Sequence, residues 1–171
     1  MPIGYIPIGY VPLDNERKSG FLTPSFTVSN VEGVTIGNRF FWAISPHQDA
    51  TFGLDYIENR GVQGKIEYRY IPRQDIQGQV NASFLKDDLT GNTFWKVDAF
   101  HAQTLPLGFQ LNAKLDLTSD ANFNKIFRNQ TENRTRRSSD SFASIFKSWG
   151  NQSLDLLARF RESEEENRDD T

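Results

Sequence analysis

Residues 107–117 alternate without interruption. Leu107, Phe109, Leu111, Ala113, Leu115 and Leu117 take one parity, and Gly108, Gln110, Asn112, Lys114 and Asp116 the other. A two-residue period marks an extended strand with one apolar and one polar face, because successive side chains leave opposite sides of the pleat. The pattern recurs at 50–58 (Ala50, Phe52, Leu54 and Tyr56 on one face), at 62–70 (Val62, Ile66, Tyr68 and Tyr70) and at 76–84 (Ile76, Val80, Ala82 and Phe84). Looser alternation covers 21–29, which Pro24 breaks, then 34–44 with Phe40-Phe41-Trp42, and 93–102 with Trp95, Val97 and Ala99. Weaker runs at 141–149 and 153–161 close the series, and no segment carries a 3.6-residue period. The links at 59–61, 72–75, 87–92 and 150–152 are short and rich in turn residues. The longest link, 119–139, is rich in Asn, Arg and Ser, and is expected to be a surface loop or to include a short helix near Phe123–Phe127. The expected fold is all-β, an antiparallel up-and-down meander.

Two architectures share this pattern: a soluble sheet with one wet face, and part of a transmembrane β-barrel. Mean hydropathy is only −0.58 and no apolar run is long enough for a membrane helix, but a barrel averages lipid-facing and polar residues in any such sum. The runs approach the ~9–11 residues that cross a bilayer at a tilt, whereas soluble strands cluster near ~5–6. Charges sit in mid-strand (Lys65, Glu67, Arg69, Lys114, Asp116), and aromatics sit near strand ends (Trp42, Tyr56, Tyr68, Tyr70, Phe84, Trp95, Trp149), where an interfacial girdle places them. Alternation by itself leaves both architectures open. The absence of Cys among 171 residues excludes thiol catalysis, disulfides and zinc ribbons within this stretch, and 2 His are too few for most metal centres. A net charge of −3 gives no global basic field for a nucleic acid, and no cofactor motif is present.

The decisive residues lie in 5–60. Tyr5-Ile-Pro-Ile-Gly-Tyr-Val-Pro-Leu-Asp-Asn-Glu-Arg-Lys-Ser-Gly-Phe-Leu-Thr-Pro24 is followed by Arg39-Phe-Phe-Trp-Ala-Ile-Ser-Pro-His-Gln-Asp-Ala-Thr51, then Tyr56, Arg60-Gly61 and Glu67-Tyr-Arg-Tyr70. This series resembles the LptD family of lipopolysaccharide-assembly outer-membrane proteins, at the point where a periplasmic jellyroll hands over to the barrel. Beyond about residue 100 only the strand pattern agrees. The resemblance implies that 1–19 end the jellyroll and connect it, that 20–161 are the N-terminal barrel strands, and that 162–171 form an acidic loop or tail. It implies a non-enzymatic part of a translocon in the cell outer membrane that inserts lipopolysaccharide into the outer leaflet through a lateral gate beside the first barrel strand. It also implies a plug lipoprotein (LptE-like) and a periplasmic bridge protein as partners, a longer signal-bearing precursor, and family disulfides outside this window.

In that reading Pro24, which has no N–H to donate, weakens the seam between first and last strands. Its plain reading is the end of an edge strand. The second proline that the family often places before the aromatic pair is replaced here by Arg39. Lys65, Glu67, Arg69 and Lys114 are candidates to line a lumen, or simply pair across neighbouring strands. Arg134, Arg136 and Arg137, with Lys125 and Arg128, are candidates for lipopolysaccharide phosphates, or form an ordinary solvated loop. Ser45-Pro-His47 with Asp49 or Asp55 has the composition of a hydrolase triad, but no oxyanion loop accompanies it. A stand-alone small β-barrel or sheet that binds lipid or protein is the alternative to the translocon.

Overall fold

The structure is a computed structural model that describes residues 17–119 and 139–162. All strands lie in one 10-stranded antiparallel sheet: β1 (Gly20–Phe21), β2 (Ser25–Ser29), β3 (Gly33–Ser45), β4 (Gln48–Ile57), β5 (Gly61–Arg73), β6 (Ile76–Asp87), β7 (Thr93–Thr104), β8 (Gln110–Thr118), β9 (Ser139–Trp149) and β10 (Gln152–Glu162). From β3 onward each strand pairs with the next, so the meander read from alternation is the observed topology. Among the described residues the sheet is open, with β1 and β2 at one edge and β10 at the other. The expected jellyroll end, the link around Phe123–Phe127, and Arg134, Arg136 and Arg137 fall outside the described residues.

β1 and β2 are two halves of one strand, both laid on β3. Phe21 faces Phe40 and Ser25 faces Gly37, so three residues on the edge strand oppose two on β3. The extra residue is a bulge at 22–24 that contains Pro24, one of the few places a strand accepts proline. The bulge also changes the phase. Phe21 is odd-numbered and Phe26 and Val28 are even, yet all three share the face of Ile36, Phe40 and Trp42. The Leu22 N–H donates to the Arg39 carbonyl at 2.8 Å and holds the bulge on β3.

A single row of paired residues shows how the strands are staggered. It runs from Ser45 through Gln48, Tyr70, Gly78, His101, Ala113 and Ala143 to Ala158. Ser45 is the last residue of β3, whereas Ala143 and Ala158 lie well inside β9 and β10. Such a stagger means that the strands are inclined to the sheet's long direction, the geometry from which barrels are built.

Links alternate in length. At one end they span 46–47, 74–75, 105–109 and 150–151, and at the other 30–32, 58–60, 88–92 and 119–138. The alternation read at 107–109 does not form strand. Pro106–Gly108 is a 3₁₀ turn, and Leu107 and Gly108 have φ of +65° and +78°. Leu107 is 81% exposed, so its left-handed backbone is strained with no packing in return. Leu107→Asn, which tolerates this conformation, is expected to stabilise the fold by about 0.5–1 kcal/mol, read as a higher urea midpoint.

The two faces are inverted relative to a water-soluble sheet. The even positions of β3–β6 and the odd positions of β7 carry Ile36, Phe52, Leu54, Tyr56, Ile66, Phe84 and Trp95, all exposed. The opposite face carries Asp49, Asp55, Gln63, Asp87, Lys96 and Asp116, all buried. The sheet therefore curls around its polar side. A small apolar cluster of Ile57, Leu85 and Phe94 closes that side near the long-link end, where Leu85 pairs with Phe94.

Candidate functional site

The polar concave face gathers its charges because alternation puts every second residue of β3–β8 there. Asp55 is the first focus. It accepts from Arg39 Nη1 at 2.5 Å and Nη2 at 3.2 Å, and Lys65 Nζ lies at 2.9 Å. Glycines make this possible. A Cβ at Gly37 would stand 2.5 Å from Asp55 Oδ1, and one at Gly53 would stand 2.8 Å from Arg39 Nη1. Arg39 thus crosses Gly53, its partner on β4, to reach the carboxylate. The position where the resemblance implies a second proline is therefore occupied by a residue that ties β3 to β4.

The second focus is Asp49, 3% exposed, which accepts from Arg17 Nη1 and from Arg69 Nε, each at 2.8 Å. Arg17 belongs to the segment leading into β1. Ser19 nearby accepts the Ala43 N–H on its Oγ at 2.9 Å, so both ends of this short segment are held. Polar contacts continue outward: Arg69 Nε lies 3.6 Å from Glu67 Oε1, Gln79 Nε2 donates to Glu67 and Asn81, and Asn81 Nδ2 donates to Asp98 at 2.8 Å. One network thus spans β4 to β7 and reaches the incoming chain. Charge-assisted hydrogen bonds in such a chain are the stronger kind, and they fix the orientation of each side chain.

Among the lumen candidates, Lys65, Glu67 and Arg69 all sit on this face and all are engaged with neighbours. Lys114 shares the face, between Phe100 on β7 and Phe142 on β9, and makes no ion pair among the described residues. A hollow of about 590 Å³ opens here, lined by Gln79, Asn81, Asp98, Phe100, Asn112 and Lys114 among others. Of the two readings offered for these residues, cross-strand pairing is observed for Lys65, Glu67 and Arg69. Sequence reasoning named Asp49 and Asp55 only as members of a hydrolase triad and Arg39 only as the replacement of a proline, and it missed their pairing and the part played by Arg17. The signal available was parity: these carboxylates share the polar face with the lysines and arginines already named.

Ser45 and His47 do not assemble as a triad. Ser45 Oγ accepts the His47 backbone N–H at 3.2 Å in the turn, and Asp49 and Asp55 are held by arginines and lysine. His101, on the apolar face, lies with its Nδ1 2.7 Å from the Tyr70 hydroxyl, which reaches it across Gly78.

The apolar face shows two aromatic tiers. Trp42, Tyr68, Tyr70 and Trp149 stand toward the short-link end, and Tyr56, Phe84 and Trp95 toward the other. Within the first tier, Tyr68 and Tyr70 stack at 5.7 Å.

At the far end of the polar face Arg60 Nη1 donates to Asp87 Oδ2 at 3.0 Å and Thr90 Oγ1 donates to the same oxygen at 2.8 Å. Asp87 is fully buried, so this pair joins the 58–60 and 88–92 links.

The LptD protein family matches residues 1–171 of the chain. Its relatives include the "LPS-assembly protein LptD" of Albidiferax ferrireducens, 35% identical over 162 residues, which cover 88% of this chain and 20% of that protein. The protein of the same name from Shewanella denitrificans is 31% identical over 144 residues, covering 80% and 19%, and that of Shewanella frigidimarina is 40% identical over 94 residues, covering 54% and 12%. The chain thus spans no more than a fifth of the length of these relatives. With a family match along its whole length and a meander whose exposed face is the apolar one, the chain belongs to the LptD protein family.

Proposed function

We propose that these strands form part of an outer-membrane lipopolysaccharide translocon, acting by passage and release rather than by catalysis. The carrying observation is the inverted sheet, with an apolar face bordered by two aromatic tiers and a buried, ion-paired polar face. Lipid is the solvent that suits the first face, and a water-filled lumen suits the second. The relatives' name supplies the cargo. In this reading Lys65, Glu67, Arg69 and Lys114 border the path of the saccharide, and residues 20–161 are barrel wall. The short links then face the periplasm and the longer ones the exterior, the usual asymmetry of such barrels. The incoming chain joins β1 at the short-link end, which suits a preceding periplasmic domain. A plug lipoprotein and a periplasmic bridge protein are the partners this reading entails.

The edge formed by β1 and β2 is one side of the lateral opening, with Pro24 in its bulge. A missing N–H there removes a rung from any strand that would close against it, a loss of about 0.5–1.5 kcal/mol in water and more in lipid. Pro24→Ala is expected to slow delivery of lipopolysaccharide to the cell surface, and an unchanged rate would remove Pro24 from the gate.

The direct test places a photoreactive amino acid at Lys114 in the full protein in cells. Adducts with lipopolysaccharide are expected from position 114 and not from Leu115, the next residue on the opposite face. Equal capture from both positions, or none from either, would overturn the lumen assignment. A soluble lipid- or protein-binding sheet, the other reading, would leave the purified protein monodisperse without detergent.

A further inference from the structure

Among the described strand residues whose side chains are placed, the apolar face carries three Lys or Arg side chains: Arg73 at the end of β5, which pairs with Asp75 at 3.1 Å, Lys86 beside the end of β6, and Lys147 near the end of β9. Lys147 is seated between two rings. Its Nζ lies 4.7 Å from the centre of Phe109 and 5.6 Å from that of Trp149. No carboxylate pairs with it among the described residues. Trp149 is itself fixed, its Nε1–H donating to Gln152 Oε1 at 2.9 Å. An ammonium held by aromatic faces at the rim of an apolar surface keeps its charge directed outward and keeps three donors to offer.

Further along the same face of β9 come Ile145 and Ala143. Ala143 belongs to the row Ala113–Ala143–Ala158, and these small residues form the floor of a hollow of about 500 Å³. Its sides are taller side chains, Tyr70 and His101 toward β5 and β7, and Leu115 and Phe160 toward the other end. At about 3.3 Å per residue, Ala143 stands roughly 13 Å from Lys147 along the strand, comparable to the reach from a lipid phosphate to the middle of its acyl chain.

We propose that β8–β10 hold one anionic phospholipid, with its phosphate on Lys147 and an acyl chain in the alanine-floored hollow. Charge complementarity selects the headgroup: no protein anion pairs with Lys147 among the described residues, and two rings hold its ammonium in place. A smaller hollow of about 440 Å³, lined by Gly64, Ala82, Phe84 and Trp95 among others, lies near Lys86, but no ring seats that ammonium among the described residues. The proposal rests on the reading that this face meets the bilayer. It would give this part of the wall a fixed lipid rather than an exchanging one.

The test is native mass spectrometry of the full protein released from phosphatidylcholine bilayers doped with phosphatidylglycerol, with insertion into phosphatidylcholine vesicles measured in parallel. The wild type should retain one phosphatidylglycerol in preference to phosphatidylcholine. Lys147→Ala should weaken that preference roughly five-fold, the effect of about one lysine at a membrane surface. Lys147→Arg should restore it, Ala143→Trp should abolish retention by filling the hollow, and Lys86→Ala should leave it unchanged. Protein that inserts but retains no preferred lipid, or retains it equally with Lys147→Ala, overturns the site. Protein that does not insert overturns the membrane reading beneath it.

Discussion

Ile66→Arg is expected to destabilise the folded protein in a bilayer by about 2–4 kcal/mol, the cost of a guanidinium near the midplane of a barrel's lipid face. Ile66 pairs with Phe52 and Ala82 midway between the aromatic tiers, and its side chain points outward and is exposed. In water, the same substitution at an exposed strand position would fall within about 0.5 kcal/mol of neutral. The measurement is the reversible urea unfolding equilibrium of the protein folded into vesicles. Gln63→Arg, only three residues away on the same strand, would confuse the comparison because Gln63 is buried on the other face. Leu54→Arg is the better companion, since Leu54 shares the apolar face, and it should fall in the same range. A near-neutral effect at both positions would mean that this face does not meet lipid.

Asp55→Ala is expected to cost roughly 2–3 kcal/mol. Breaking a fully buried pair costs about 3–5 kcal/mol, because an unanswered charge remains in a poorly solvated place. Here Arg39 and Lys65 each keep about a third of their side-chain surface in solvent, which relieves part of that penalty. Lys65→Ala should cost less, since Arg39 still answers the carboxylate with two hydrogen bonds. The double variant Asp55→Ala with Lys65→Ala should be less damaging than the two single losses together, because the second removes a cation the first has orphaned. Unfolding equilibria of the four proteins give the coupling directly. Strict additivity would show that the Asp55 cluster is a solvated surface pair and not part of the structure's frame.

Much of the strand order was legible from alternation. The runs read at 34–44, 50–58, 62–70, 76–84 and 93–102 lie within or nearly within β3 to β7, with ends moved by a few residues. Such runs are legible because each residue's face is set locally by the pleat. The failure at 107–109 is instructive: Leu107 and Phe109 kept the parity, but Pro106 forced a turn whose left-handed residues parity does not encode. Pro24 was legible as an interruption of the first strand. That it sits in a bulge which resets the phase of Phe26 and Val28 required the register against β3.

The site was legible more unevenly. Lys65, Glu67, Arg69 and Lys114 fall on one polar face, although the parity of that face changes from odd to even between β6 and β7, which only the register shows. Their partners were not legible. Arg17 meets Asp49 across 32 residues and Arg60 meets Asp87 across 27, and no local rule links positions so far apart. The same holds for Lys147, which reads in the chain as one more strand lysine. Trp149 stands only two residues further along β9, but Phe109 comes from the link before β8 and the alanine floor from β8, β9 and β10, and these meet only through register.

The chain alone therefore specified the all-β class, the meander, and the sorting of its side chains into an apolar and a polar set, since each depends on neighbours one or two residues apart. Which set faces outward was decided by the curl of the assembled sheet. Burying Asp49, Asp55 and Asp87 while exposing Leu54, Tyr56 and Phe84 is unfavourable in water. It becomes favourable when a long, staggered sheet pairs its charges across strands on the inside and meets a solvent that does not compete for hydrogen bonds on the outside. Curvature, stagger and ion pairing are properties of many strands together, and no single run of residues contains them.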